Sequence, residues 1–113
     1  MDISDDRPAL DPAWWDAANN VYGTLRGRRM SGVVEWFAVA GWGYRSSSWH
    51  GYEVETSWCR VELDPLGGGE ILLNGVVDPA RFDALAALLA RSGLGYGLEL
   101  YGDDDVPVRQ VAG

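Results

Sequence analysis

The sequence predicts an α+β domain: one mostly antiparallel sheet of four or five strands with two helices on one face, in the order α-β-β-β-α-β with a further short strand at the end. Three observations predict it. Phe82, Leu85, Ala86 and Leu89 fall at i, i+3, i+4 and i+7, with Leu88 widening the stripe of an amphipathic helix. Alternating apolar runs flank that helix at 70–77 and 95–102. The start signal Asp78-Pro79-Ala80 also occurs earlier, as Asp11-Pro12-Ala13.

Residues 1–9 carry little pattern and are expected to be a flexible tail, leaving 10–113 as a single domain. The first helix is expected from Asp11, a good N-cap with Pro12 behind it, to about Tyr22–Gly23. Leu10 and Trp15 are spaced as a hydrophobic staple. A connector through Gly32 follows, holding the only basic cluster, Arg26, Arg28 and Arg29. The stretch 33–42 is apolar on both faces apart from Glu35, as a central strand would be. Residues 41–49 read as a loop, with His50 at its end. In 52–64 the alternation changes phase, and one β-bulge near Ser57–Cys59 would bring Tyr52, Val54, Trp58, Cys59, Val61 and Leu63 to one face. The opposite face then gathers Glu53, Glu55, Glu62 and Asp64, with Arg60 among them.

Pro65 and the glycines 67–69 make the next turn, and 70–77 is a third strand. Asp78 and Pro79 set the start of the second helix, Val77 and Phe82 its staple, Arg91 its dipole partner and Gly93 its stop. The echo between the two starts reads as a shared helix-start grammar rather than a duplication, because the sequences beyond them diverge. Residues 95–102 alternate with Tyr96, Leu98 and Leu100 inward. Gly95 and Gly97 leave a bare strip beside Glu99 and Tyr101, suited to an aromatic side chain from a neighbour. Val106–Val111, with Pro107, reads as an edge strand.

The 113 residues are 47 % hydrophobic, enough for one core. The net charge is −8, from 17 acids against nine bases, all arginine. An acidic chain is repelled by phosphate backbones and anionic lipid and attracted to basic proteins, so neither nucleic acid nor membrane is an expected partner. The run α-β-β-β-α superficially resembles the double-stranded-RNA-binding domain. That family reads RNA with basic residues at its second helix, and here that helix opens Asp-Pro-Ala-Arg-Phe-Asp. Arginine without lysine, with abundant Ala, Gly and Val, suggests a GC-rich bacterial genome. With no secretory opening and a single cysteine, Cys59, the expected location is the cytoplasm.

No catalytic motif is specific. His50, Ser46–Ser48 and Glu53 or Glu55 supply triad residue types, but no strained nucleophile turn holds them. One histidine and one cysteine cannot make a zinc site without carboxylates, and Asp103–Asp105 lacks the spacing of a calcium loop. The order helix–glycines–strand at 93–97 is the reverse of a phosphate-binding fingerprint. No catalytic residue, metal or cofactor is therefore expected.

What remains is the aromatic density between 36 and 58 and the carboxylate stripe beside it. Trp42, Tyr44, Trp49, His50, Tyr52, Glu53, Glu55 and Glu62 are the candidate binding residues; the bland reading is that the rings close over a small core. The leading expectation is a non-enzymatic protein-binding domain that engages a basic partner. Its general make-up is that of the small acidic immunity proteins that neutralise bacterial toxins, a likeness of class and not of motif. The alternative is a small-molecule or saccharide site in the loop 42–52, hydrolytic if His50 acts as acid and base. A homodimer through an edge strand is a third reading.

Overall fold

A period of two in burial defines the strands. Val21 and Leu25 are fully buried while Tyr22 and Arg26 face outward, and this makes 21–26 a strand rather than the end of a helix. The computed structural model describes residues 8–47, 50–102, 104 and 106–113. In chain order its main elements are β1 (Val21–Arg26), α1 (Met30–Val39), β2 (Gly43–Ser46), β3 (Tyr52–Thr56), β4 (Cys59–Pro65), β5 (Glu70–Val77), α2 (Phe82–Ser92), β6 (Gly95–Tyr101) and β7 (Pro107–Ala112). The seven strands form one antiparallel sheet in the order β2-β3-β4-β5-β1-β6-β7. The mixed α+β architecture, one antiparallel sheet with two helices, is the expected one. The strand count and the order of elements are not, and three segments account for the difference.

The first is 11–26. Asp11 caps as expected, its Oδ1 accepting from the Ala13 N–H at 3.0 Å, but only the 3₁₀ turn Pro12–Trp14 follows. Residues Asp16–Asn19 are exposed and offer no apolar stripe to bury, so nothing extends the turn. The staple pair meets through a hydrogen bond, Trp15 Nε1 donating to the Leu10 carbonyl at 2.8 Å. Asn20 then extends the ladder with its side chain, donating to the Val77 carbonyl and accepting from the Val77 N–H at 2.8 and 2.9 Å.

The second is 30–39, a helix where a central strand was expected. Met30, Val33, Val34 and Phe37 share one helical face. As a strand, 33, 35 and 37 would point the same way and carry the Glu35 carboxylate into the core; the helix leaves Glu35 exposed. The helix ends in a Schellman stop: Gly41 takes φ 96°, its N–H donates to the Ala38 carbonyl, and the Trp42 N–H donates to that of Phe37. The hydrophobic contact that accompanies such a stop is Trp42 against Phe37, ring centroids 4.8 Å apart.

The third is 52–65, two strands joined by the two-residue turn Ser57-Trp58 instead of one bulged strand. Pairing Thr56 with Cys59 puts even-numbered residues of β3 on the same face as odd-numbered residues of β4. That is the source of the phase change. Its consequence is the expected one: Val54, Cys59, Val61 and Leu63 turn into the core, and the carboxylates face away.

Residues 70–102 form the strand, helix and strand read from the sequence, with β1 lying between β5 and β6. Asp78 Oδ1 accepts from the Ala80 N–H at 3.0 Å, a 3₁₀ turn at Pro79–Arg81 leads into α2, and Gly93 stops it at φ 80°. Inward strand residues and the buried faces of both helices make one core, and Trp36 Nε1 pins α1 to α2 by donating to the Leu88 carbonyl at 3.1 Å. Arg28, from the expected basic cluster, donates to the Ser92 carbonyl at 2.9 Å and so satisfies the end of α2. The two caps separate start from stability. Asp78→Ala is expected to cost about 1 kcal/mol and Asp11→Ala only a few tenths, read as shifts in urea midpoint, because only Asp78 precedes a buried helix.

Candidate functional site

Both helices lie against the inward face of the sheet. On its other face the N-terminal segment meets β3 to β5, where Asn19 donates to Asn74 and Leu10 and Val76 are buried apart from the main core, and strand residues form the rest. Register places one residue from each strand in a continuous row across it: Arg45, Glu53, Glu62, Asn74, Tyr22, Glu99, Gln110. A neighbouring row runs Asp64, Leu72, Thr24, Gly97, Ala112. Charged residues on this face are Glu53, Glu55, Glu62, Asp64, Glu70 and Glu99 against Arg26, Arg45 and Arg60, six carboxylates to three guanidinium groups.

These carboxylates are held differently. Glu53 is mostly covered and forms an ion pair with Arg45 across β2 and β3. Glu55 Oε2 accepts from the Leu10 N–H at 3.3 Å, which ties the N-terminal segment to β3. Glu62 lies directly opposite Glu53 and is exposed. Glu99 accepts from Gln110 Nε2 at 2.9 Å and from the Tyr101 hydroxyl at 3.4 Å. Partial burial and this neighbouring carboxylate hold the Tyr101 phenol above its ordinary pKa. The Tyr101 ring meets Tyr22 edge-on, centroids 5.3 Å apart, and Tyr22 remains 38 % exposed.

A shallow groove of about 500 Å³ opens on β1, β6 and β7, lined among others by Tyr22, Thr24, Leu72, Gly97, Glu99 and Gln110. The strip foreseen at Gly95 and Gly97 lies along it. At Gly95 the Arg26 guanidinium covers the strand, 3.2 Å from where a Cβ would stand, rather than an aromatic ring. At Gly97 a Cβ would meet nothing within 4 Å.

The aromatic residues of 36–58 divide between core and edge. Phe37 and Trp42 are buried, and Trp58 closes the set edge-on to Trp42 at a 5.3 Å centroid distance. Tyr44 and Tyr52 pack partly against the core and, with Ser31, Val34, Glu35 and Ala38, line a second cavity of about 460 Å³ beside α1. His50 is exposed in the turn between β2 and β3. Trp49, Ser48, Asp103, Asp105 and the tail residues 1–7 lie outside the described residues. Cys59 is fully buried, and that burial pushes its thiol well above its ordinary pKa, which leaves it unreactive. Among the described residues no three of His, Cys, Asp or Glu gather as a metal site, and no helix is long and apolar enough to cross a membrane.

The candidate residues Glu53, Glu55 and Glu62 thus share one face, whereas Tyr44 and Tyr52 belong to the other and Trp42 to the core. Sequence reasoning missed Tyr22, Leu72 and Gln110 as parts of the open face. The alternation in 21–26 was the available signal for Tyr22. No protein-family model, curated protein or solved structure matches this chain.

Proposed function

We propose that this is a non-enzymatic protein-binding domain whose helix-free sheet face engages a basic protein partner, as an immunity-type inhibitor would. The observation that carries the reading is the imbalance of six carboxylates against three guanidinium groups on one face of the sheet, Glu62 among them exposed, in a chain of net charge −8. Glu53 and Glu62, directly opposite each other, form a like-charge pair of the kind that costs roughly 0.2–1 kcal/mol, which Arg45 offsets in part and a cationic partner would relieve further. The backbone of this face is fixed by strand pairing, so binding has to order side chains and not the chain itself. The small-molecule or saccharide alternative draws its support from the cavity beside Tyr44 and Tyr52; with Trp42 in the core, fewer of the candidate rings are available to it.

Capture of proteins encoded by neighbouring genes, at low and high salt, tests the reading. Binding should weaken steeply with ionic strength. The double variant Glu62→Arg with Asp64→Arg should reduce it by about tenfold or more, mainly through slower association. Capture that ignores both salt and charge reversal would count decisively against a basic partner.

A further inference from the structure

A glycine inside a strand forfeits stability relative to alanine and marks a place where something must come close. Three strand glycines differ in what comes close. A Cβ at Gly23 would overlap the Gly97 carbonyl oxygen, and one at Gly75 would overlap that of Arg60; both glycines are explained by a neighbouring strand. Gly97 has no such explanation. Its backbone is not in the left-handed region, and a side chain there would project into open space.

What Gly97 preserves is the floor of the groove. Thr24 and Ala112 flank it with small side chains, Leu72 supplies an apolar wall, and the exposed Tyr22 ring and the Glu99 carboxylate stand along the other side. Each Glu99 oxygen accepts one bond from an uncharged donor, which leaves acceptor capacity. Among the described residues no cation pairs with Glu99. Arg26 lies over Gly95, four residues away along β6 and hence about 13 Å distant. An apolar trough that ends at a carboxylate beside an aromatic ring complements a long side chain with an aliphatic stem and a planar cationic head.

Building on the proposed engagement of a basic partner, we infer that the Gly97 groove is the anchor site for an arginine side chain of that partner. The stem lies over Gly97 between Leu72 and Tyr22. The guanidinium reaches Glu99 and stacks against the Tyr22 ring.

The test needs no partner in hand. The ¹⁵N-labelled full chain is titrated with N-acetyl-arginine amide and, separately, with N-acetyl-citrulline amide, which has the same shape without the charge. The arginine probe should shift the amides of Tyr22, Thr24, Gly97, Glu99 and Gln110 with a dissociation constant on the order of 1 mM. The citrulline probe should bind at least about tenfold more weakly. Gly97→Leu should abolish the response while the melting temperature stays equal or rises, and Glu99→Gln should weaken it by about tenfold.

Equal response to both probes, an unaltered response in Gly97→Leu, or no saturable shift at the solubility limit of the probe would each overturn the assignment. Shifts confined to Glu53, Glu62 and Asp64 would overturn the groove and leave the acidic-face reading standing. Saturable binding at the groove, with partner capture indifferent to charge reversal at Glu62 and Asp64, would do the opposite.

Discussion

Gly75→Val is expected to destabilise the protein by at least about 3 kcal/mol, while Gly97→Ala is expected to stabilise it by about 0.4–1 kcal/mol. Gly75 sits in β5 between Val61 of β4 and Val21 of β1. A Cβ there would overlap the Arg60 carbonyl oxygen and lie 2.7 Å from the Val61 Cα, both backbone atoms that no rotamer change can move. Relief therefore requires β4 and β5 to part along a register that runs from Cys59–Val77 to Pro65–Ile71. Each ladder bond lost is worth about 1 kcal/mol, and the unsatisfied groups left behind cost more. At Gly97 the same added carbon meets nothing and only reduces the freedom of the unfolded chain. Urea melts read both at once: with a slope of about 1–3 kcal/mol/M, the midpoint should fall by more than about 1 M in one variant and rise by a few tenths in the other. Two changes of the same sign would refute the distinction between a glycine kept for its neighbours and a glycine kept for its groove.

How far the fold could be read from the residues depended on how local each signal was. Everything that defines 78–93 lies within about four turns of chain, and cap, staple, stripe and stop agree. At Asp11 the same cap formed without a helix behind it. A cap selects where a helix begins, but burial of a stripe decides whether one exists, and 16–19 has no stripe. The segment 30–39 failed for a different reason. Its valines and aromatics have the composition of a strand, and its apolar spacing fits either period unless Glu35 arbitrates.

The open face was partly legible for a reason that survives the wrong mechanism. A bulge and a two-residue turn both shift the alternation by one, so Glu53, Glu55, Glu62 and Asp64 converge either way. The groove was not legible beyond its glycines. Its lining comes from β1, β5, β6 and β7, and only the insertion of β1 between β5 and β6 brings Tyr22 and Leu72 beside Gly97. Strand order of that kind is set by the packing of the whole core, where helices at both crossovers must find their faces, and no window of sequence contains it.

The helix at 30–39 also gives a sharp mutational contrast. Phe37→Ala is expected to cost about 3–5 kcal/mol, and Val39→Ala less than about 0.5 kcal/mol. Phe37 is fully buried and touches Trp42, which in turn meets Trp58, so its removal opens a cavity at the base of an aromatic chain. It also deletes the hydrophobic contact that accompanies the stop of α1 at Gly41. The loss should therefore appear in tryptophan fluorescence and near-ultraviolet dichroism as well as in the denaturation midpoint. Val39 is 76 % exposed and its truncation uncovers nothing. Were 33–42 a strand, Phe37 and Val39 would share a face, and both truncations would be severe. Comparable losses at the two positions would thus overturn the helix, and with it the assignment of Glu35 to solvent; a large loss at Phe37 alone is what the helical geometry requires.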